Sequence, residues 1–109
     1  MHELALVQEI VAIVSDRVRS GQVMRLVLHI GKLAAVSPDA VRFCFTVCAE
    51  GTRLEGAALD IVEVPGIARC RGCGAQIELL RPFGLCACGR SDLEWLSGEE
   101  LVIKQVEVQ

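Results

Sequence analysis

The chain has 109 residues, 52% of them hydrophobic, enough for one compact domain with little left over for a second independent core. Its 11 basic and 14 acidic residues give a formal net charge of -3, which offers no general attraction to phosphate backbones or anionic lipid and removes nucleic acid as the default partner. No segment approaches the roughly 20 apolar residues of a membrane span, and Met1 to Val14 carries Glu3 and Glu9 without a basic flank or a small-residue cleavage site, so a cytoplasmic location without membrane insertion is expected.

Leu4, Val7, Val11, Val14 and Val18 recur at helical spacing, and residues 3 to 19 read as an amphipathic helix ended by Gly21. The run from Gln22 to Ile30 is short and β-branched, which predicts a strand closed by Gly31. Ser37 then has the chemistry of an N-cap, with Pro38 and Asp39 in the first turn, where a missing N–H and a negative charge both suit the helix start. This second helix is expected to reach about Glu50, before Gly51. Ala57 to Val64 reads as another strand, interrupted by Pro65-Gly66. The next thirty or so residues hold four cysteines, several glycines and only short apolar runs such as Ile77, Leu79 and Leu80, so a bound metal is expected to stand in for a core. After Ser97-Gly98, alternation from Leu101 to Val108 predicts a last strand that returns to the first sheet.

Six cysteines in a chain without a secretion signal favour metal ligation over a disulfide framework. Cys70-Arg71-Gly72-Cys73-Gly74 has the spacing at which two thiolates on one tight turn meet a single tetrahedral ion, and the glycine permits the turn's backbone angle. Cys86-Ala87-Cys88-Gly89 follows at a distance suited to a hairpin that joins the pairs. Four thiolates point to a closed, structural zinc site, with iron as the competing metal. A redox dithiol at Cys70 and Cys73 is the other reading, but it leaves Cys86 and Cys88 unexplained. Cys44 and Cys48 stand four apart beside Phe45 and Val47 and read as small buried hydrophobes.

A bulky residue at position 2 is expected to preserve the initiator methionine, so that the chain opens Met1-His2-Glu3. The α-amine of Met1, the backbone nitrogen of His2 and its imidazole then form two fused chelate rings, a planar nitrogen set suited to nickel(II) or copper(II). Glu3 adds its amide nitrogen or its carboxylate, and Asp39 is a further candidate donor. His29, inside a strand, reads as a surface or core residue.

With these features in order, the chain resembles the HypA/HybF family of hydrogenase nickel-incorporation proteins nearly end to end. The matching segments are Met1-His2-Glu3, Ile30-Gly31-Lys32-Leu33, Ser37 to Phe43, Ala49-Glu50-Gly51-Thr52, Leu59-Asp60-Ile61, the cysteine pairs, and Ser97 to Leu101. The resemblance implies an α+β fold, two helices packed on an antiparallel sheet with an inserted small zinc-ribbon-like domain. By that reading residues 1–64 and 97–109 form the nickel-binding domain and residues 65–96 the zinc-binding domain. It further implies that Met1, His2 and Glu3 bind transported nickel and that Cys70, Cys73, Cys86 and Cys88 bind structural zinc. The implied role is that of a carrier and not an enzyme, working with a hydrogenase maturation GTPase and delivering nickel to the [NiFe]-hydrogenase large-subunit precursor; some members also serve urease. One departure is the single residue, Ala87, inside the second cysteine pair, where the family usually has two. The alternative is a zinc-ribbon module that binds nucleic acid or protein; four arginines against three carboxylates between Pro65 and Leu96 make a weak footprint for nucleic acid.

Overall fold

The computed structural model describes residues 2–109, and its elements follow in the order α1 (Glu3–Arg17), β1 (Val23–Gly31), α2 (Pro38–Cys48), β2 (Ala58–Val64), β3 (Gly66–Cys70), β4 (Gln76–Leu79), β5 (Leu93–Ser97) and β6 (Leu101–Val108). The strands form two three-stranded sheets, β2-β1-β6 and β4-β3-β5. The expected return of the last strand is therefore found, as β6 lies beside β1. The fold is α+β, as the family resemblance implied. No helix among the described residues is long and apolar enough to cross a membrane.

The chain divides into two compact units, one made of residues 2–28, 36–62 and 103–109, the other of residues 29–35 and 63–102. In the first unit α1 buries Val7, Ile10, Val11 and Val14, the i, i+3, i+4, i+7 stripe of a helix with one covered side. Ile10 takes a place on this face that the expected stripe had given to Leu4, which is 46% exposed. The helix also stops short of residue 19, because Val18 already has extended backbone angles. The α2 start is as expected: the Ser37 hydroxyl accepts the Ala40 N–H at 3.3 Å, which satisfies one of the orphan donors of the first turn. Its end is earlier, at Cys48, and the chain turns through Gly51 at φ +75°. Val41 and Phe45 of α2, with Val23, Leu26 and Leu28 of β1 and with Ala49 and Leu54, complete the unit's buried set among the described residues. On the other side of the sheet Arg25 of the central strand bridges Asp60 of β2 and, at 3.3 Å, Glu107 of β6. These exposed pairs add little stability each.

Along β6 the alternation slips by one residue: Leu101 and Ile103 are half-buried, and the next covered residue is Val106. A strict two-residue period across 101–108 therefore does not hold.

The second unit has more of a core than its sequence suggested. In β3, Ala68 is fully buried and faces Ile77 of β4 on one side and Trp95 of β5 on the other, both pairings antiparallel. A small residue in the central strand leaves room for the two large neighbours. Leu33, from the turn after β1, packs with Ala68 and Leu79, and Ile77, Leu93 and Trp95 lie against them. Its N–H donates to the Gly98 carbonyl at 2.8 Å. A side chain at Gly66 would collide with Leu33, so glycine is what lets Leu33 enter. Leu33→Ala removes a buried isobutyl group and should cost about 2–4 kcal/mol. Faster amide exchange along β3, with α1 unaffected, is the expected measurement.

Candidate metal centres

Cys70 ends β3, and Cys73 lies in the turn that follows. The Gly74 N–H donates to the Cys70 carbonyl, and the Cys70 N–H donates to the Ala75 carbonyl, both at 2.9 Å. Cys86 and Cys88 sit on a second turn closed in the same manner but one residue tighter. There Gly89 donates to the Cys86 carbonyl at 2.8 Å, and Cys86 donates to the Arg90 carbonyl at 2.9 Å. Gly74 and Gly89 both have positive φ, +78° and +95°, a conformation a β-carbon would strain. The missing residue in the second pair thus shortens the turn without removing the glycine that closes it.

The four sulfurs all lie within 4.8 Å of one another. Cys70 Sγ is 3.7 Å from Cys88 Sγ, and Cys73 Sγ is 3.6 Å from Cys86 Sγ. Tetrahedral coordination with metal–sulfur bonds of about 2.3 Å sets sulfurs roughly 3.8 Å apart, so both separations suit one central ion. Cys70 and Cys86 are buried while Cys73 and Cys88 are exposed. This donor set, all sulfur with no oxygen or nitrogen partner, suits zinc or iron. The Cys73 N–H points at Cys70 Sγ at 3.4 Å. Together with the Gly72 N–H and the neighbouring thiols it outweighs burial and lowers the Cys70 thiol to about 6. At Cys86 the Cys88 N–H acts in the same direction but is overcome by burial and by hydrogen bonds with Cys73, Cys88 and Cys70, which push the thiol up to about 11. The sulfurs compete for protons, as closely placed titrating groups do.

The other two cysteines, Cys44 and Cys48, are half-buried on α2. Burial, and next the presence of Cys44, raises the Cys48 thiol above its ordinary value, which keeps it protonated, although neither cysteine is fully buried as the sequence reading expected.

The second candidate centre lies at the head of the chain. Met1 falls outside the described residues. His2 is the N-cap residue of α1; its side chain makes no cap bond and is exposed, and its carbonyl accepts the Leu6 N–H at 3.1 Å. Glu3 Oε2 accepts the Ser37 N–H at 3.1 Å. That bond ties the first turn of α1 to the start of α2, where Asp39 stands two residues further on. Among the described residues the cysteines are the one set of three or more ligating side chains gathered within 4.8 Å. His29 is half-buried within β1, away from the head of the chain in sequence. The role of the Ser37 amide was not legible in the sequence. Its hydroxyl marked a cap, but the amide of a cap residue lies outside the helix's own bonding, and only the fold supplies its acceptor.

These features define a small α+β protein with a four-cysteine cluster suited to a metal ion. The model of the family described as hydrogenase/urease nickel incorporation, metallochaperone, HypA matches residues 1–108. The chain is 56% identical over 109 residues to hydrogenase maturation factor HypA of a Nostoc species, covering 100% of this chain and 96% of that one. It is 41% identical over 112 residues to hydrogenase maturation factor HypA 1 of Bradyrhizobium diazoefficiens, covering 99% of each. The solution structure of the Ni metallochaperone HypA from Helicobacter pylori has the same fold, with a TM-score of 0.67 at 22% identity over 99% of this chain and 97% of that one. The chain belongs to the HypA family.

The Ser37 N–H holds the Glu3 carboxyl below its ordinary value of 4.5, its own backbone N–H adding to the effect. A group whose folded value is lowered stabilises the fold above its unfolded value, and that contribution disappears as pH falls through the folded one. Protection of the Ser37 amide from exchange should therefore persist at neutral pH and vanish as pH falls below 4.5. In Glu3→Ala it should be absent at every pH.

Proposed function

We propose that this protein is a nickel metallochaperone for [NiFe]-hydrogenase maturation, a carrier without catalysis of its own. Nickel is its cargo and zinc its structural ion. The names of its relatives, hydrogenase maturation factors, and the description of its family model support the reading. The structural observation that carries it is the Glu3–Ser37 bond, which ties the head of α1 to the head of α2 and leaves the His2 side chain exposed.

Nickel(II) is held by the Met1 amine and by the backbone nitrogen and imidazole of His2, with the Glu3 amide nitrogen available as a fourth planar donor. The first N–H groups of a helix have no intrahelical partner, so the Glu3 nitrogen enters the chelate without breaking a helical bond. The Glu3 carboxylate positions this group through Ser37. An exposed chelate at a chain end exchanges its ion readily, which suits delivery to the large-subunit precursor with a maturation GTPase. Cys70, Cys73, Cys86 and Cys88 hold zinc, which takes four sulfurs in a closed tetrahedral site. Residues 65–96 form the zinc-binding domain, residues 1–64 and 97–109 the nickel-binding domain, and the protein works in the cytoplasm. The nucleic-acid alternative is disfavoured by the segment's small excess of positive charge, four arginines against three carboxylates, two of those arginines being paired: Arg71 lies 3.1 Å from Asp92, and Arg69 lies 3.9 Å from Glu94.

Because imidazole and amine must lose protons to bind, nickel affinity should fall steeply as pH drops through the histidine range. Calorimetric titration at several pH values tests this, and a pH-independent affinity would refute the chelate. His2→Ala should abolish tight nickel binding with zinc content unchanged. Conversely, Cys88→Ala should lose zinc, measured by elemental analysis of the purified protein, and lower protection across β3, β4 and β5 while α1 and α2 stay protected.

A further inference from the structure

The two cysteine turns come from different parts of the chain, and one residue that binds neither metal touches both. β3 and β5 pair antiparallel with Cys70 opposite Leu93, and the pairing runs on past the strand ends. The Arg71 N–H donates to the Asp92 carbonyl, and the Arg71 side chain lies 3.1 Å from the Asp92 carboxylate. The segment that leaves the second turn is thereby laid along the first, which brings Arg90 to Gly72. Arg90 is also fixed from its own side, because its carbonyl accepts the Cys86 N–H at 2.9 Å. Its backbone closes the second turn while its side chain rests on the first.

Gly72 is what admits that side chain. A β-carbon at position 72 would collide with the Arg90 guanidinium and with its Cδ, and the three atoms nearest to it all belong to Arg90. Backbone conformation gives glycine no other reason to stand here, since residue 72 is not among the positive-φ glycines to which Gly74 and Gly89 belong. Of the two glycines in the first turn, one serves the turn and the other serves Arg90.

Charge supplies the second observation. Arg69 and Arg71 are paired with Glu94 and Asp92, whereas Arg90 has no salt-bridge partner among the described residues. Four thiolates around a divalent ion leave a centre with a net negative charge, and the Cys73 N–H that points at Cys70 Sγ spreads that charge without cancelling it. A guanidinium is permanently charged and weakly hydrated, so it can rest against a glycine backbone and keep its charge there.

We propose that Arg90 is the charge-compensating residue of the four-cysteine centre, seated beside the first cysteine pair by the absence of a side chain at Gly72. The inference rests on the divalent ion assigned above to Cys70, Cys73, Cys86 and Cys88, and it concerns how tightly that ion is held. Gly72 lies between two of the ligands in sequence, so a charge laid against it acts on their thiolates at short range. Arg90 is exposed, and solvent limits its effect to that of a surface ion pair. The effect favours the loaded centre, because without an ion the sulfurs take up protons and lose the negative charge that Arg90 would offset.

The test is the zinc affinity of the full chain, measured by competition with a chelator of known affinity, with cobalt(II) substitution to report the sulfur donors. Arg90→Met keeps the length of the side chain and loses its charge. At low ionic strength it should bind zinc about three- to fivefold more weakly than wild type, and the difference should vanish at about 1 M salt, where the screening length is about 3 Å. Arg90→Lys, which keeps the charge, should restore most of the affinity. Gly72→Ala should reproduce the loss by displacing Arg90, yet add nothing to Arg90→Ala. The sulfur-to-cobalt charge-transfer bands should persist in every variant. Equal zinc affinity of wild type and Arg90→Met at low salt would overturn the proposal. A loss that salt leaves unchanged, or that lysine fails to repair, would make Arg90 a packing residue and also overturn it, as would a Gly72→Ala loss equally large without Arg90. If wild type purified under reducing conditions holds no zinc and gives no sulfur-to-cobalt bands, it is the metal assignment that fails.

Discussion

Four sulfur atoms within 4.8 Å of one another set the terms for everything around them. As thiols they compete for hydrogen bonds, and as thiolates they repel at short range in surroundings from which two of them are shielded. The divergence of Cys70, down to about 6, from Cys86, up to about 11, is the expression of that conflict. A divalent cation removes it by giving every sulfur the same partner. The polypeptide's contribution is geometric, since two glycine-closed turns aim the four sulfurs at one point. A three-stranded sheet of few residues then supplies the base from which those turns project.

The base is not made of the cysteine segment alone. Leu33 comes from the turn after β1 and packs with Ala68 and Leu79, so the cluster's support draws on a residue far from the cysteines in sequence. Glycine at position 66 is the complement of that insertion, and Gly98, whose φ is +96°, brings the chain back against Gly66. With zinc at the four cysteines, as proposed, a metal and a small apolar core would share the work of ordering the unit. This division is typical of segments too short to bury much surface by themselves.

How much of this was legible in the sequence depended on the range of the interaction responsible. Ser37 and the prolyl residue after it marked the start of α2, because capping is local chemistry. The cysteine pairs announced their convergence by spacing, since ligand identity and turn length are written in a few residues. Other features depend on partners distant in sequence: Ile10 displacing Leu4 from the buried face of α1, the slipped alternation of β6, and the insertion of Leu33. Periodicity identifies a face but not which neighbours cover it. The Glu3–Ser37 bond belongs to the same group, as it joins residues 34 positions apart. Phe83 shows the remaining difficulty, for a phenylalanine in a loop looks like a core residue until its exposure, 94%, and its backbone angle, φ +67°, are known.

The shortened second cysteine pair shows why a departure from a family pattern has to be judged by geometry. If the spacing inside a pair were itself the requirement, losing a residue between Cys86 and Cys88 would carry one sulfur away from the others. Instead the carbonyl that closes the turn moves one residue nearer: Cys70 donates to Ala75, five residues on, while Cys86 donates to Arg90, four residues on. The glycine after each pair keeps its positive φ, and the sulfur separations across the pairs, 3.7 and 3.6 Å, are nearly equal. What the centre requires is two sulfurs presented from a turn whose end is free to adopt a left-handed angle. The number of residues between the cysteines is one way of meeting that requirement, and this chain meets it with one residue fewer.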